Sequence, residues 1–96
     1  MIAAVGNDSY GAAALEQLSR EQIDCDHIAQ MEEAASGVAL IMVDQRGENC
    51  IAVAPGANAL LSPEHVQRVP EATFGQASVL LASLEVPIAT VRFALQ

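Results

Sequence analysis

The amino-acid sequence predicts an α/β fold. Residues 1–6, MIAAVG, read as a short buried strand and are followed by a segment with helical periodicity. A second apolar run, residues 77–84, is too short for a helix of its own and is typical of a fully buried parallel strand. The composition agrees with this class: 52% of the residues are apolar but only 3% are aromatic, so the core must consist of Ala, Val, Leu and Ile.

The first third of the chain predicts a strand, a helix and a further strand. Residues 6–9, Gly-Asn-Asp-Ser, form the turn after the first strand and offer Asp8 and Ser9 as helix N-caps. The helix is predicted at residues 10–21, where apolar side chains recur on one face. A short edge strand is predicted at residues 23–28.

The stretch from residue 37 to residue 58, GVALIMVDQRGENCIAVAPGAN, predicts a β-hairpin that leads into a tight loop. Two apolar arms are joined by a charged turn, and Gly56 and Asn58 suit the loop that follows. Both alternating faces of each arm are apolar, so neither face is expected to lie in water. A ligand, a partner subunit or another part of the same fold must therefore cover the second face.

The last third of the sequence predicts a helix, a strand and a second helix. Residues 62–64, Ser-Pro-Glu, provide the cap, the first residue and the acidic first turn of a short helix that Pro70 ends. After the predicted strand at residues 77–84, Pro87 begins a helix that is still in progress at Gln96. The chain is therefore interpreted as one domain or a piece of one.

The charge and the apolar pattern exclude several classes of partner. Four basic residues stand against twelve acidic ones, the net charge is −8, and the chain has no Lys. Nucleic acids and anionic membrane surfaces bind clustered Lys and Arg, so neither is an expected partner. No apolar run approaches the ~20 residues that span a bilayer, and the features of a signal peptide are absent. A cytoplasmic location is expected.

The residues that most often carry chemistry form no catalytic or metal-binding pattern on their own. Cys25 and Cys50 are predicted to be reduced and mostly buried thiols, and His27 and His65 to be surface or half-buried residues, because their spacing matches no metal site. The sequence also contains no GxSxG, P-loop or GxGxxG motif.

Glu85 is the candidate ligand-binding residue. It directly follows the predicted strand at residues 77–84, and open α/β sheets bind ligands at the carboxyl ends of their strands. Its carboxylate can accept two hydrogen bonds from sugar hydroxyls. The alternative, which position alone favours, is a solvated glutamate ahead of the helix that Pro87 begins.

The order of the segments resembles that of ribokinases, in the PfkB carbohydrate kinase family. The resemblance rests on GNDSYG, QIDCDHI, SGVALIMVDQRGENCIAVAPGAN, LSPE and the final Leu84-Glu85. It implies a three-layer α/β fold, in which a small projecting sheet covers the sugar site and forms the subunit contact of a homodimer. The chain would then be residues 1–96 of a partial ribokinase-like domain, truncated at both ends, with its lid hairpin at about residues 37–54.

The resemblance also implies site residues and a reaction. Ala39, Ile41 and Val53 match lid residues that border the sugar, and Glu85 matches the glutamate that binds it. The implied enzyme transfers the γ-phosphoryl group of ATP to the primary hydroxyl of ribose or a related sugar, with Mg²⁺ and, as a further candidate, a monovalent cation. The family's Gly-Ala/Gly-Gly-Asp motif, its amino-terminal sugar-binding segments and its ATP site are missing. No catalytic residue, no bound cofactor and no activity are therefore expected for the chain alone.

Two alternatives stay open at this point. A noncatalytic dimerisation or interaction module would use the hairpin only to pair with another chain. A kinase for fructose or a nucleoside would keep the fold and change the substrate, because the residues that separate these substrates lie largely outside the chain.

Overall fold

The computed structural model describes all 96 residues and confirms the α/β class. The strands form two separate sheets: β1 pairs with β2 in parallel, and β3 pairs with β4 antiparallel. The elements are β1 (Ile2–Gly6), α1 (Ser9–Arg20), β2 (His27–Met31), β3 (Val38–Val43), β4 (Asn49–Ala54), a 3₁₀ helix (Gly56–Leu60), α2 (Pro63–Gln67), α3 (Glu71–Gly75) and α4 (Ile88–Ala94).

The amino-terminal unit β1–α1–β2 follows the predicted order, but its second strand begins at His27 rather than at residue 23. The first residues between α1 and β2 form the C-terminal cap of the helix instead of a strand. Gln22 adopts a positive φ of 59°, and the N–H of Ile23 donates a 3.0 Å hydrogen bond to the Leu18 carbonyl, which is the pattern of a Schellman cap. A turn follows in which the Asp24 carboxylate accepts the N–H of Asp26 at 2.8 Å.

The hairpin is confirmed where the sequence predicts it. Its register pairs Val38 with Ala54 at the base and Val43 with Asn49 near the turn. The turn has two supports: the Asp44 carboxylate accepts main-chain N–H groups of the turn, and Gly47 takes a φ of +84° that side chains disfavour. At about 3.4 Å per residue, each six-residue arm extends for roughly 20 Å.

The buried core is small and lies between β1, β2 and the 3₁₀ helix. Its central cluster consists of Ala4, Met31, Ala57 and Leu61. The carboxyl-terminal helices lie beside it, where α2 packs against α4 and Thr90 of α4 bonds to Leu61 of the cluster. The residues buried in that region include Val66, Val69, Thr90 and Val91.

The predicted strand at residues 77–84 is wrong: this segment forms neither a strand nor a helix. It is exposed throughout, and Leu81 retains 95% of its accessible surface. A fully buried parallel strand needs neighbours at its edges and cover on its faces, whereas β1 and β2 pair only with each other. The apolar pattern alone could not supply those neighbours.

The helices near the carboxyl terminus are confirmed in part. Ser62 and Pro63 occupy the N-cap and the first position of α2, as predicted, but α2 ends at Gln67. Pro70 does not end that helix; it is the N-cap residue of α3, which the sequence analysis does not predict. The last helix begins after Pro87 and ends at Ala94 rather than running through Gln96.

The predicted redox state of the two cysteines and their predicted burial have different outcomes. Both cysteines are free thiols, but Cys50 is exposed and Cys25 only half-buried, so the prediction of mostly buried thiols is wrong. Cys50 is exposed because it belongs to β4, and every residue of β4 is exposed.

None of the helices combines the length and the apolar character that crossing a membrane requires.

Candidate functional site

The hairpin brings three of the predicted site residues onto one surface. Ala39 lies directly opposite Val53, and Ile41 lies opposite Ile51. Directly opposed residues of an antiparallel pair share a face, and side chains along a strand alternate between faces. Ala39, Ile41, Ile51 and Val53 therefore form one apolar face, defined here as the inner face.

The opposite face of the hairpin is also apolar and is defined here as the outer face. It consists of Val38, Leu40, Met42, Cys50, Ala52 and Ala54. Ile41 on the inner face is 61% exposed and Leu40 on the outer face is 67% exposed. No other helix or strand packs extensively on either arm, so both faces are free to contact something else.

A hydrogen-bond network around the half-buried Asp8 carboxylate holds the chain where it runs into the hairpin. One Asp8 oxygen accepts the Ser36 N–H at 2.7 Å, and the other accepts the Ser36 hydroxyl at 2.7 Å. That second oxygen also accepts the Gly11 N–H at 2.8 Å, which caps α1. The Ser36 hydroxyl oxygen in turn accepts the Gly6 N–H at 3.0 Å. The N–H groups of Gly11 and Ser36, in that order, hold the pKa of Asp8 below its ordinary value.

The sequence analysis identifies Asp8 as an N-cap candidate, which the structure confirms, but it misses this second role. Ser36 is 9% exposed and is one of the few buried polar residues. The only sequence signal for it is a serine placed directly before Gly37 and the first apolar arm.

The chain leaving the hairpin is tied to the chain running into it. The Ala57 N–H donates to the Ala35 carbonyl at 2.8 Å. Gly56 takes a φ of +50°, which confirms the tight turn predicted at this position. The Asn58 side-chain amide lies against Gly37, where a Cβ would come within 2.7 Å of its nitrogen.

Glu85 lies on the surface immediately ahead of α4. Its neighbour Val86 packs against the central core cluster, and Pro87 caps α4, so the main chain is held on the carboxyl-terminal side of Glu85. A hydrogen bond from the Ser83 hydroxyl, and then one from its own N–H, hold the pKa of Glu85 below its usual value. The carboxylate is therefore ionised at neutral pH and acts as an acceptor.

A polar pair lies at the carboxyl ends of β1 and β2. The Asn7 side-chain amide donates to both oxygens of Glu32, at 3.0 and 2.9 Å. Both residues are exposed. The pair fastens the two strand ends together in the region where Asp8 and Ser36 also meet.

The described residues do not fit an Mg²⁺-nucleotide site. They contain no group of three or more His, Cys, Asp or Glu side chains that could hold a metal ion, and no Lys is present to bind phosphate. His27 and His65 are half-buried, as predicted, and line a hollow of about 260 Å³ beside Arg68.

Comparison with known proteins decides the family. The profile of the pfkB family carbohydrate kinases matches residues 1–95. The chain belongs to this family. This pfkB-family chain is 39% identical over 95 residues to the ribokinase of Haemophilus influenzae, covering 99% of the chain and 31% of that protein. It is 32% identical over 96 residues to the ribokinase of Schizosaccharomyces pombe, covering 100% of the chain and 30% of that protein.

The fold agrees with the family. The ribokinase structure from Giardia lamblia superposes with a TM-score of 0.82 at 29% identity, over 98% of this chain and 29% of that one. The resemblance to ribokinases noted in the sequence is thus confirmed. The pfkB-family chain spans about 30% of the length of the curated relatives it matches.

Proposed function

We propose that this chain supplies the sugar-contacting part of a ribokinase-type kinase, which transfers the γ-phosphoryl group of ATP to the primary hydroxyl of ribose or a related sugar. The observation that carries the proposal is the family match over residues 1–95, together with a hairpin whose inner face is continuous and apolar. The hairpin acts as the lid of the sugar site, at about residues 37–54 of a partial ribokinase-like domain.

The inner face and Glu85 have different tasks in this proposal. Ala39, Ile41 and Val53 border the sugar and exclude water from it, which strengthens the polar contacts below. Glu85 binds the sugar, since an ionised carboxylate forms strong hydrogen bonds with hydroxyl donors. Like an ordinary glutamate, it is ionised at neutral pH and is therefore in the accepting form.

In this proposal ATP and Mg²⁺ bind outside these 96 residues, because the motifs that the family uses for them are not found in the sequence. When bound, they supply the phosphoryl group and neutralise its charge. A monovalent cation is a further candidate in the complete site. We therefore expect the purified 96-residue chain to show no ATP-dependent phosphorylation of ribose in a coupled assay. Turnover above background would contradict the assignment of ATP and Mg²⁺ binding to residues outside this chain.

The outer face forms the contact with a second copy in this proposal, giving a homodimer through the lid. A noncatalytic interaction module is the alternative, supported by the same two exposed apolar faces. The alternative gains support if the 96-residue chain forms a stable dimer by light scattering and the full-length protein phosphorylates no sugar.

The proposal is tested on the full-length protein with a panel of acceptors. ADP release is measured with ribose, 2-deoxyribose, fructose and a nucleoside as acceptors, each with ATP and Mg²⁺. Ribose should give the highest kcat/KM. A preference for fructose or a nucleoside would keep the family chemistry and change the substrate. If ADP release depends on none of the acceptors, the proposal is overturned.

The reaction is assigned to the cytoplasm, with which two free thiols are compatible.

A further inference from the structure

Four of the six glycines surround the short segment that leads into the hairpin, namely Gly6, Gly11, Gly37 and Gly56. A Cβ on Gly6 would lie 2.6 Å from the Ala34 carbonyl oxygen and closer than 3.0 Å to main-chain atoms of Ala35 and Ser36. A Cβ on Gly56 would collide with the Ala35 carbonyl. Main-chain atoms cannot turn aside as the end of a flexible side chain can, so the segment fits only because these neighbours lack side chains.

We propose that residues 35–37 form a rigid anchor which fixes the direction of the hairpin, with Asp8 and Ser36 as positioning residues. Any opening of the lid then occurs by bending within the hairpin, beyond Gly37, and not by rotation at its base. The inference rests on the proposed function only for its effect on sugar binding; the orientation of the hairpin can be measured without it.

The hydrogen bonds around Ser36 support the anchor. Ser36 donates its N–H and its hydroxyl to Asp8 and accepts the N–H of Gly6. These three bonds join the end of β1, the first turn of α1 and the base of the hairpin across sequence separations of 28 to 30 residues. A hinge needs residues that can absorb large changes of φ and ψ. Rotation at Ser36 would break all three bonds and press the chain into Gly6.

The second strand of the hairpin is fixed at the same point. The Ala57 N–H bonds to the Ala35 carbonyl, and Ala57 is fully buried in the core cluster. The hairpin therefore has two attachments to the body, and both pass through Ala35 or its neighbour. A ribbon held at both strands in this way cannot pivot about a single bond.

Two variants weaken the anchor without removing the cap of α1. Asp8→Asn keeps an N-cap side chain, since Asn caps helices as well as Asp does, but it places an amide group against the Ser36 N–H. Ser36→Ala removes the hydroxyl and its two hydrogen bonds and leaves the N–H in place. Asp26→Asn is the matched control, because Asp26 lies at the opposite, amino-terminal end of the sheet, just before His27.

The test uses the full-length protein with one spin label at Ala54→Cys, at the base of the hairpin opposite Val38, and one at Gln17→Cys on α1, any other reactive cysteine being replaced. Pulsed electron resonance should give one narrow distance distribution for the parent protein and for the Asp26→Asn control. Asp8→Asn and Ser36→Ala should each broaden that distribution at least about twofold. A broad distribution in the parent, or narrow ones in both variants, would overturn the anchor.

Sugar kinetics form the second readout. With the anchor weakened, KM for the sugar should rise several-fold, while kcat stays within about twofold, because the lid must be ordered anew on binding. Broadened distances with an unchanged KM would support the proposed anchor but count against the hairpin as the sugar lid. A parent protein that phosphorylates no sugar refutes the proposed function, and the distances still decide the anchor.

Discussion

The hydroxyl of Thr90 donates a 2.6 Å hydrogen bond to the main-chain carbonyl of Leu61. Thr90 is only 2% exposed, and Leu61 belongs to the central core cluster. The bond attaches α4 to the residue that follows the 3₁₀ helix, 29 positions away in the sequence. It therefore holds the helix that begins just after Glu85 against the core.

Thr90→Val should destabilise the fold by about 1–2 kcal/mol, because the shape is kept while a buried carbonyl loses its partner. Thr90→Ser should retain most of the bond. The free energy of unfolding is measured by urea denaturation, with the exposed Thr73→Val as the control. A Thr90→Val protein as stable as its parent would show that the bond contributes nothing net.

Gln22→Gly should stabilise the fold by roughly 0.5–1 kcal/mol, because Gln22 holds a left-handed backbone that glycine adopts without strain. The neighbouring residue gives a matched control. Glu21 has an ordinary φ of −80°, so Glu21→Gly should be neutral or destabilising. Thermal and urea unfolding check both variants, and equal effects of the two glycines would exclude backbone strain as the cause.

Asp8 predicts a specific dependence of stability on pH. Its pKa is lower in the folded state than its ordinary value, so its contribution is complete above the unfolded pKa of ~3.9 and is lost as the pH falls through the folded pKa. The difference in unfolding free energy between parent and Asp8→Asn should be constant from about pH 5 to 7 and shrink below about pH 4. Urea titrations at several pH values, with Asp26→Asn as the control, test this. A gap independent of pH would contradict it.

Glu85→Gln should raise KM for the sugar by roughly 10-fold or more, since it removes a charged acceptor and keeps the size of the side chain. The effect on kcat should be smaller if the bond is equally strong in the ground state and the transition state. Steady-state kinetics on the full-length protein measure both values. Glu71→Gln, an exposed acidic residue on α3, is the control, and an unchanged KM would remove Glu85 from the sugar site.

The two faces of the hairpin should respond differently to the same change. Ile41→Ser on the inner face should raise KM for the sugar, whereas Leu40→Ser on the outer face should weaken self-association. The two residues are adjacent and similarly exposed, at 61% and 67%, so each serves as the control for the other. Kinetics and sedimentation at several protein concentrations separate the effects. Identical behaviour of the two variants would exclude separate tasks for the faces.

The features that the sequence predicts correctly depend on local patterns. The hairpin follows from two apolar arms around a turn with Gly47, and the start of α2 follows from Ser62 and Pro63, whose preferences act within a few residues. The class and the family follow in the same way from the order of such segments.

The features that the sequence does not predict depend on distant parts of the chain. The apolar run at residues 77–84 has the composition of a strand, but pairing requires a free edge that this composition cannot provide. The contact of Ser36 with Asp8 and Gly6 joins positions about 30 residues apart, and nothing in the local pattern of any of the three indicates it. Gln22 is missed because glycine is the usual signal at that position.

The parallel unit β1–α1–β2 is closed by residues 1–31 alone, and the hairpin is closed by residues 38–54. The hairpin forms its pairs from nearby chain alone, and low sequence separation between contacts is associated with rapid folding. The amino-terminal unit differs, because Ala4 and Met31 are buried together with Ala57 and Leu61, which follow the hairpin in the sequence. During synthesis the hairpin can therefore form before the core of the amino-terminal unit is complete, and the chain that leaves the hairpin then closes that core.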